Sequence, residues 1–118
     1  MIQKKQIILD FGSIVLEAEL FNTSVADSFA GKLPYRINLE KWGNELYGSI
    51  GIDLGEEKPV PDIPSGGIAY TNRGNYFCIF FGQRPAWQVE HIGQINNNGW
   101  EKLVGNISCN AVTIRLKQ

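Results

Sequence analysis

The sequence predicts an all-β domain of about eight strands, spaced as a barrel or sandwich would space them, with one or two short helices. Three observations carry this: the run Tyr76-Phe77-Cys78-Ile79-Phe80-Phe81, several segments in which apolar and polar residues alternate, and glycine or proline punctuation between them. The run lies between Asn75 and Gly82, is too short for a comfortable buried helix and is rich in aromatic residues, so it reads as a strand buried on both faces. Ile68-Ala69-Tyr70-Thr71 is a second strand, and Asn72-Arg73-Gly74-Asn75 between them has the residue types that tolerate positive φ in a tight turn. The pair forms a central hairpin.

The other elements follow in chain order. Ile7-Ile8-Leu9 is a first strand, turned back at Asp10-Phe11-Gly12 into Ser13 to Leu20. There Ile14, Leu16, Ala18 and Leu20 share one face and Ser13, Glu17 and Glu19 the other, with Val15 the exception. Between Asn22 and Pro34, capping side chains in front, Gly31 behind and a proline stop define a short helix with Val25, Ala26 and Phe29 on its buried face. Tyr35 to Glu40 alternates again, and Glu45 to Ile52 resumes as a strand whose Gly48 and Gly51 mark bends or bulges. Asp53 to Gly66 holds Pro59, Pro61, Pro64 and four acids, a composition that cannot keep a sheet ladder supplied with N–H donors, so it is the long loop. Val89 to Ile95 is a strand, Trp100 to Val104 a short helical turn, and Ala111 to Leu116 the closing strand.

At 118 residues the chain forms one domain, residues 1–118. Its 11 basic and 12 acidic residues leave a net charge of −1, which offers no electrostatic footprint for nucleic acid or an anionic membrane. The N-terminal residues contain no apolar run of leader length and no segment spans a bilayer, so a soluble cytoplasmic protein is expected. Cys78 and Cys109 lack the spacing of metal or redox sites; a disulfide between them is geometrically open, but a reducing cytoplasm argues against it. No cofactor and no metal is expected. His91 is the one histidine, which excludes a two-histidine metal site and leaves an acid–base role without an orienting partner.

The order of these pieces resembles the cyclophilin-like proteins, in particular small bacterial and archaeal members of unassigned activity. The resemblance is carried by Thr23-Ser24-Val25-Ala26 opening a helix that ends at Leu33-Pro34, by Trp42-Gly43-Asn44-Glu45-Leu46-Tyr47 and by Gly66-Gly67-Ile68-Ala69-Tyr70. Cys78-Ile79-Phe80-Phe81-Gly82 and Ile92-Gly93-Gln94-Ile95 complete it. It implies a closed eight-stranded β-barrel capped by short helices, and, by similarity to the prolyl isomerases, a site on the outer barrel face. Such a site needs a donor that weakens amide resonance and an apolar pocket that binds the twisted bond better than either planar isomer. Arg36 stands where the resemblance places the arginine, and Trp87 and His91 follow the aromatic strand as the family's tryptophan and histidine do. The chain departs from the isomerases where Glu45-Leu46-Tyr47-Gly48-Ser49 replaces their glutamine and paired glycines.

The expected binding groove is therefore Arg36, Tyr47, Trp87 and His91, with Phe77, Phe80 and Phe81 equally eligible as its floor. On its own alternation Arg36 also reads as a surface strand residue facing a carboxylate such as Glu45. The tryptophans each flank a turn or loop, where sealing a barrel end is the default and Trp87 the best exception. The functional expectation is a non-catalytic module binding a peptide or small molecule; a prolyl isomerase of low efficiency and a protein-interaction domain are the alternatives.

Overall fold

The computed structural model describes residues 5–106 and 109–117. The leader reading of the first residues lies partly outside them. The strands are β1 (Lys5–Asp10), β2 (Val15–Leu20), β3 (Tyr35–Asn38), β4 (Glu40–Lys41), β5 (Glu45–Ser49), β6 (Gly67–Thr71), β7 (Tyr76–Phe80), β8 (Glu90–Ile95) and β9 (Ala111–Leu116). Helix α1 (Ser24–Ala30) and a 3₁₀ segment (Asn96–Leu103) complete the described elements. No helix among the described residues is long and apolar enough to cross a membrane.

All strands join one antiparallel sheet in the order β3-β9-β1-β2-β8-β6-β7-β5-β4. The two ends of that order, β3 and β4, are separated in the chain only by Leu39, so the sheet curls into a nearly closed barrel. Among the described residues nine strands replace the expected eight because the chain changes neighbours inside one alternating run. Leu39 N still donates to Asn110 O at 2.9 Å, whereas Glu40 pairs with Tyr47 of β5. At the resulting seam, β5 runs against β3, and a Cβ on Gly48 would overlap the Asn38 carbonyl oxygen and lie 2.6 Å from Ile37 Cγ2. Glycine is required there by space, since the two backbones nearly touch.

Alternation sets the barrel interior: Leu9, Leu20, Ile37, Ile68, Phe77 and Ile79 are among its fully buried residues. Helix α1 closes part of it. Thr23 accepts a hydrogen bond from Ala26 N at 3.1 Å as N-cap, and Phe29 stacks on Tyr35 (4.4 Å between centroids) and Phe77 (5.8 Å). The Tyr35 hydroxyl donates to Phe29 O at 2.7 Å, and burial pushes its pKa up to about 12, so it stays a donor. In the 3₁₀ segment Asn97 and Asn98 take left-handed backbone conformations, which splits it into two turns across a kink.

A second apolar cluster lies apart from this core. Ile63, Ala69, Cys78, Phe80 and Val89 form it, with Tyr47, Val60 and Tyr76 at its edge. Cys109 belongs to the barrel core, and both cysteines are free. The acidic proline-rich segment is tied down across both clusters, Ile52 and Leu54 packing against the barrel core and Val60 and Ile63 joining the second. Glu90, itself buried, accepts from Glu57 N (2.9 Å) and Lys58 N (2.8 Å); the Tyr70 hydroxyl accepts from Leu54 N (2.8 Å) and donates to Ile52 O (2.9 Å). A one-residue bridge, Val60 to Val89, joins it to the connection before β8.

Candidate functional site

The site follows from strand phase. Because Leu46, Ile68 and Ile79 face the barrel interior, their neighbours must face outward, and register then stacks Tyr47 beside Cys78 beside Ala69, and Glu45 beside Phe80 beside Gly67. The connection 82–89 arches over this outer face. It is held by an Arg84–Asp62 ion pair (3.0 Å), by Gln83 Oε1 accepting from Asn44 N (2.7 Å), and by Trp87 Nε1 donating to Thr71 Oγ1 (2.9 Å). Trp42 borders the same space from the β4–β5 turn, where its backbone N–H donates to the Glu45 carbonyl oxygen at 2.9 Å. Between arch and sheet lies a cavity of about 310 Å³. Its walls are apolar and aromatic, with Glu45, Cys78, Thr71 and the two tyrosines, Tyr47 and Tyr76, supplying polar atoms.

Glu45 dominates the electrostatics. Its residue is 7% exposed, and burial pushes its pKa from 4.5 up to about 7, partly offset by the neighbouring Cys78 thiol, whose Sγ also lies 3.9 Å from its acceptor Tyr76 O. That thiol is driven well above its ordinary pKa by burial and by the Glu45 carboxyl beside it, so it is a protonated donor and no nucleophile. The Tyr47 hydroxyl is raised chiefly by the charge of Glu40 on β4.

The raised Glu45 pKa fixes a stability profile. Below about 4.5 the group is neutral in native and unfolded chain alike; between 4.5 and about 7 only the unfolded chain gives up its proton, so stability falls as pH rises and then levels off. The full shift corresponds to about 3 kcal/mol, and screening by water at the cavity mouth reduces the expected loss to about 1–2 kcal/mol. Glu45→Gln is expected to remove this slope and to be the more stable protein above pH 7, as read from denaturant unfolding across that interval. Parallel profiles for the two proteins would contradict this.

Of the four residues expected to form a groove, the structure brings two together. Tyr47 and Trp87 line the cavity, Trp87 with 38% of its surface exposed and the Arg73 guanidinium 5.6 Å from its ring centroid. Arg36 lies on the outer face of β3, where its Nη1 is 3.4 Å from Thr113 Oγ1; none of the described ion pairs includes it, and Glu45 is buried on β5. His91 on β8 packs edge-on against Phe21 (4.8 Å), its pKa lowered by burial, and its Nε2 has no hydrogen-bond partner among the described residues. Neither borders the cavity. The floor aromatic is Phe80, while Phe77 and Phe81 belong to the barrel core.

Sequence reasoning missed Trp42, Glu45, Thr71 and Cys78 as a group. Each sits on an outward phase of a predicted strand or beside one, but the register that stacks them across β5, β7 and β6 is a tertiary fact. Trp100 takes the sealing role instead, packed against the core.

Comparison with known proteins agrees with this architecture. The sequence pattern of the family described as cyclophilin-like matches residues 5–115. The solution structure of the hypothetical protein AF2241 from Archaeoglobus fulgidus superposes with a TM-score of 0.70 at 27% identity, covering 97% of this chain and 95% of that one. McbB, solved in complex with tryptophan, superposes with a TM-score of 0.77 at 17% identity over 94% of this chain; the match spans 44% of McbB, and at that identity the likeness concerns the fold. No curated protein matches the sequence. With the match running from the first described strand to the last, the chain belongs to the cyclophilin-like family.

Proposed function

We propose that the protein is a non-catalytic binding module of the cytoplasm whose ligand is a small organic molecule held in the cavity between β5, β7 and the 82–89 arch. One observation carries the reading: a concave, aromatic-walled space of about 310 Å³ with a few convergent polar groups, which is the form small-molecule sites take. Two features weigh against the alternatives. A prolyl isomerase needs its arginine beside the apolar pocket, and Arg36 instead contacts Thr113 on the neighbouring β9. A protein-interaction domain needs a flat apolar patch, whereas Trp42 and Trp87, the exposed tryptophans, border a concavity. Two free, buried thiols suit a reducing compartment.

The test is two-dimensional NMR of labelled protein titrated separately with ring-bearing fragments and with Xaa-Pro peptides. Fragments are expected to shift Tyr47, Trp87 and Phe80 signals, with affinity reduced about tenfold by Trp87→Ala and unchanged by Arg36→Ala. Accelerated cis/trans exchange in the peptides, abolished by Arg36→Ala, would replace this reading with the isomerase one.

A further inference from the structure

The cavity combines two features that call for a specific charge. Among the described residues Glu45 is the only carboxylate lining it, and none of the described ion pairs, Lys5–Asp27, Arg84–Asp62 and Lys117–Glu17, involves it. A buried carboxyl in apolar surroundings is costly to ionise until a cation arrives beside it. The same cavity is lined by the rings of Trp42, Tyr47, Tyr76, Phe80 and Trp87, and aromatic faces attract cations, organic ammonium ions in particular. We propose that the cavity is a receptor for a small organic ammonium ion bearing an apolar ring or chain, with the ammonium group held by Glu45 and the surrounding aromatic faces. This rests on the cavity being the ligand site, as proposed above, and names the chemistry of its ligand.

The other groups around Glu45 fit that assignment. From β7 it meets the Cys78 thiol, a protonated donor, and pairs across to Phe80; on its own strand stands Tyr47, packed edge-on against Tyr76 and with Glu40 of β4 beside its hydroxyl. β6 contributes Thr71, which is uncharged, and the arch contributes Pro85, Ala86, Trp87 and Val89. Arg73, over Trp87, and Arg84, paired with Asp62, are outside the lining. The wall therefore carries no fixed positive charge. An anionic ligand would oppose ionisation of Glu45, and a neutral one would meet it as the protonated acid, so only a cation gains from its charge.

Proton linkage follows. In the empty cavity Glu45 resists ionisation, so an arriving ammonium group displaces its proton to solvent. Affinity for the cation is expected to rise with pH up to about 7, then to level off until the amine itself loses its proton at about 10.

The experiment uses the intact protein and matched pairs of probes: benzylamine with benzyl alcohol, 2-phenylethylamine with 2-phenylethanol, and 2-(1-naphthyl)ethylamine with its alcohol. Affinities are read by NMR and calorimetry at about pH 6 and about pH 8, in two buffers of different ionisation enthalpy to count protons. The expected result is that at least one amine binds about tenfold or more tightly than its alcohol at the higher pH, with a smaller gap and measurable proton release at the lower. Glu45→Gln, isosteric and expected to fold at least as well, should bring each pair within about twofold, the loss falling on the amines while the protein's NMR spectrum stays that of the folded chain. Amines and alcohols binding equally at the cavity would overturn the ammonium assignment and leave the ligand site standing. A preference for amines that survives Glu45→Gln would overturn the role given to this carboxyl. No shifts at the cavity from any of the probes would overturn both proposals together.

Discussion

Gly48→Ala is expected to lower unfolding free energy by about 3 kcal/mol or more, a large part of the stability of a domain of this size. The added methyl would have to occupy the place of the Asn38 carbonyl oxygen and lie against Ile37 Cγ2, so either β3 or β5 must move. Neither can move cheaply. β3 is paired with β9 from Tyr35 to Asn38, and β5 is paired with β7 along its whole length, Glu45 to Ser49. Displacement at the seam would therefore strain two ladders and open the barrel interior, where Ile37 and Leu46 are buried. Gly51→Ala is the matched control: a Cβ there meets nothing within 4 Å, and only its φ of +71° opposes the change, for a cost of about 1 kcal/mol. Urea unfolding of the two variants separates crowding from backbone strain. A loss at position 48 no greater than that at 51 would mean that β3 and β5 do not close against each other.

That seam also shows where the sequence stops being informative. Alternation in Ser13 to Leu20, the caps around Ser24–Ala30 and the turn before Tyr76 are local signals, and each element appears where its residues place it. Gly48 and Gly51 read alike in the sequence, as bends in one strand. In the structure the first is demanded by a neighbouring backbone and the second by its own φ, a difference that only the folded neighbourhood creates. The same holds at the site. Trp87 was legible because Arg84 and Pro85 mark its loop as exposed, whereas Glu45 has no sequence signal at all: an acid at a strand start reads as solvated until register buries it beside Cys78 and Phe80. Arg36 reads as a site residue only through the resemblance; its own alternation points to a surface strand residue, and its neighbour proves to be Thr113 on β9.

The sharpest separation of fold from function lies on β7, whose successive residues serve opposite faces. Ile79 is fully buried in the barrel core and Phe80, next to it, in the outer cluster under the arch, where it lines the cavity. Ile79→Ala is expected to cost about 2–5 kcal/mol, the usual range for deleting a large aliphatic side chain from a core that cannot collapse around it. Because the removed atoms face away from the cavity, the affinity of the surviving native protein for a ring-bearing fragment should change less than about twofold. Phe80→Leu retains most of the volume and is expected to cost only about 1 kcal/mol, yet it removes an aromatic wall and should weaken fragment binding by about tenfold. Denaturant unfolding and fragment titration on the same two samples measure all four quantities. If affinity fell equally in both variants, the two clusters would be one coupled body and the site could not be assigned to the outer face alone. If Phe80→Leu left affinity untouched, the ligand would be held by the arch and Trp42 without the sheet beneath them.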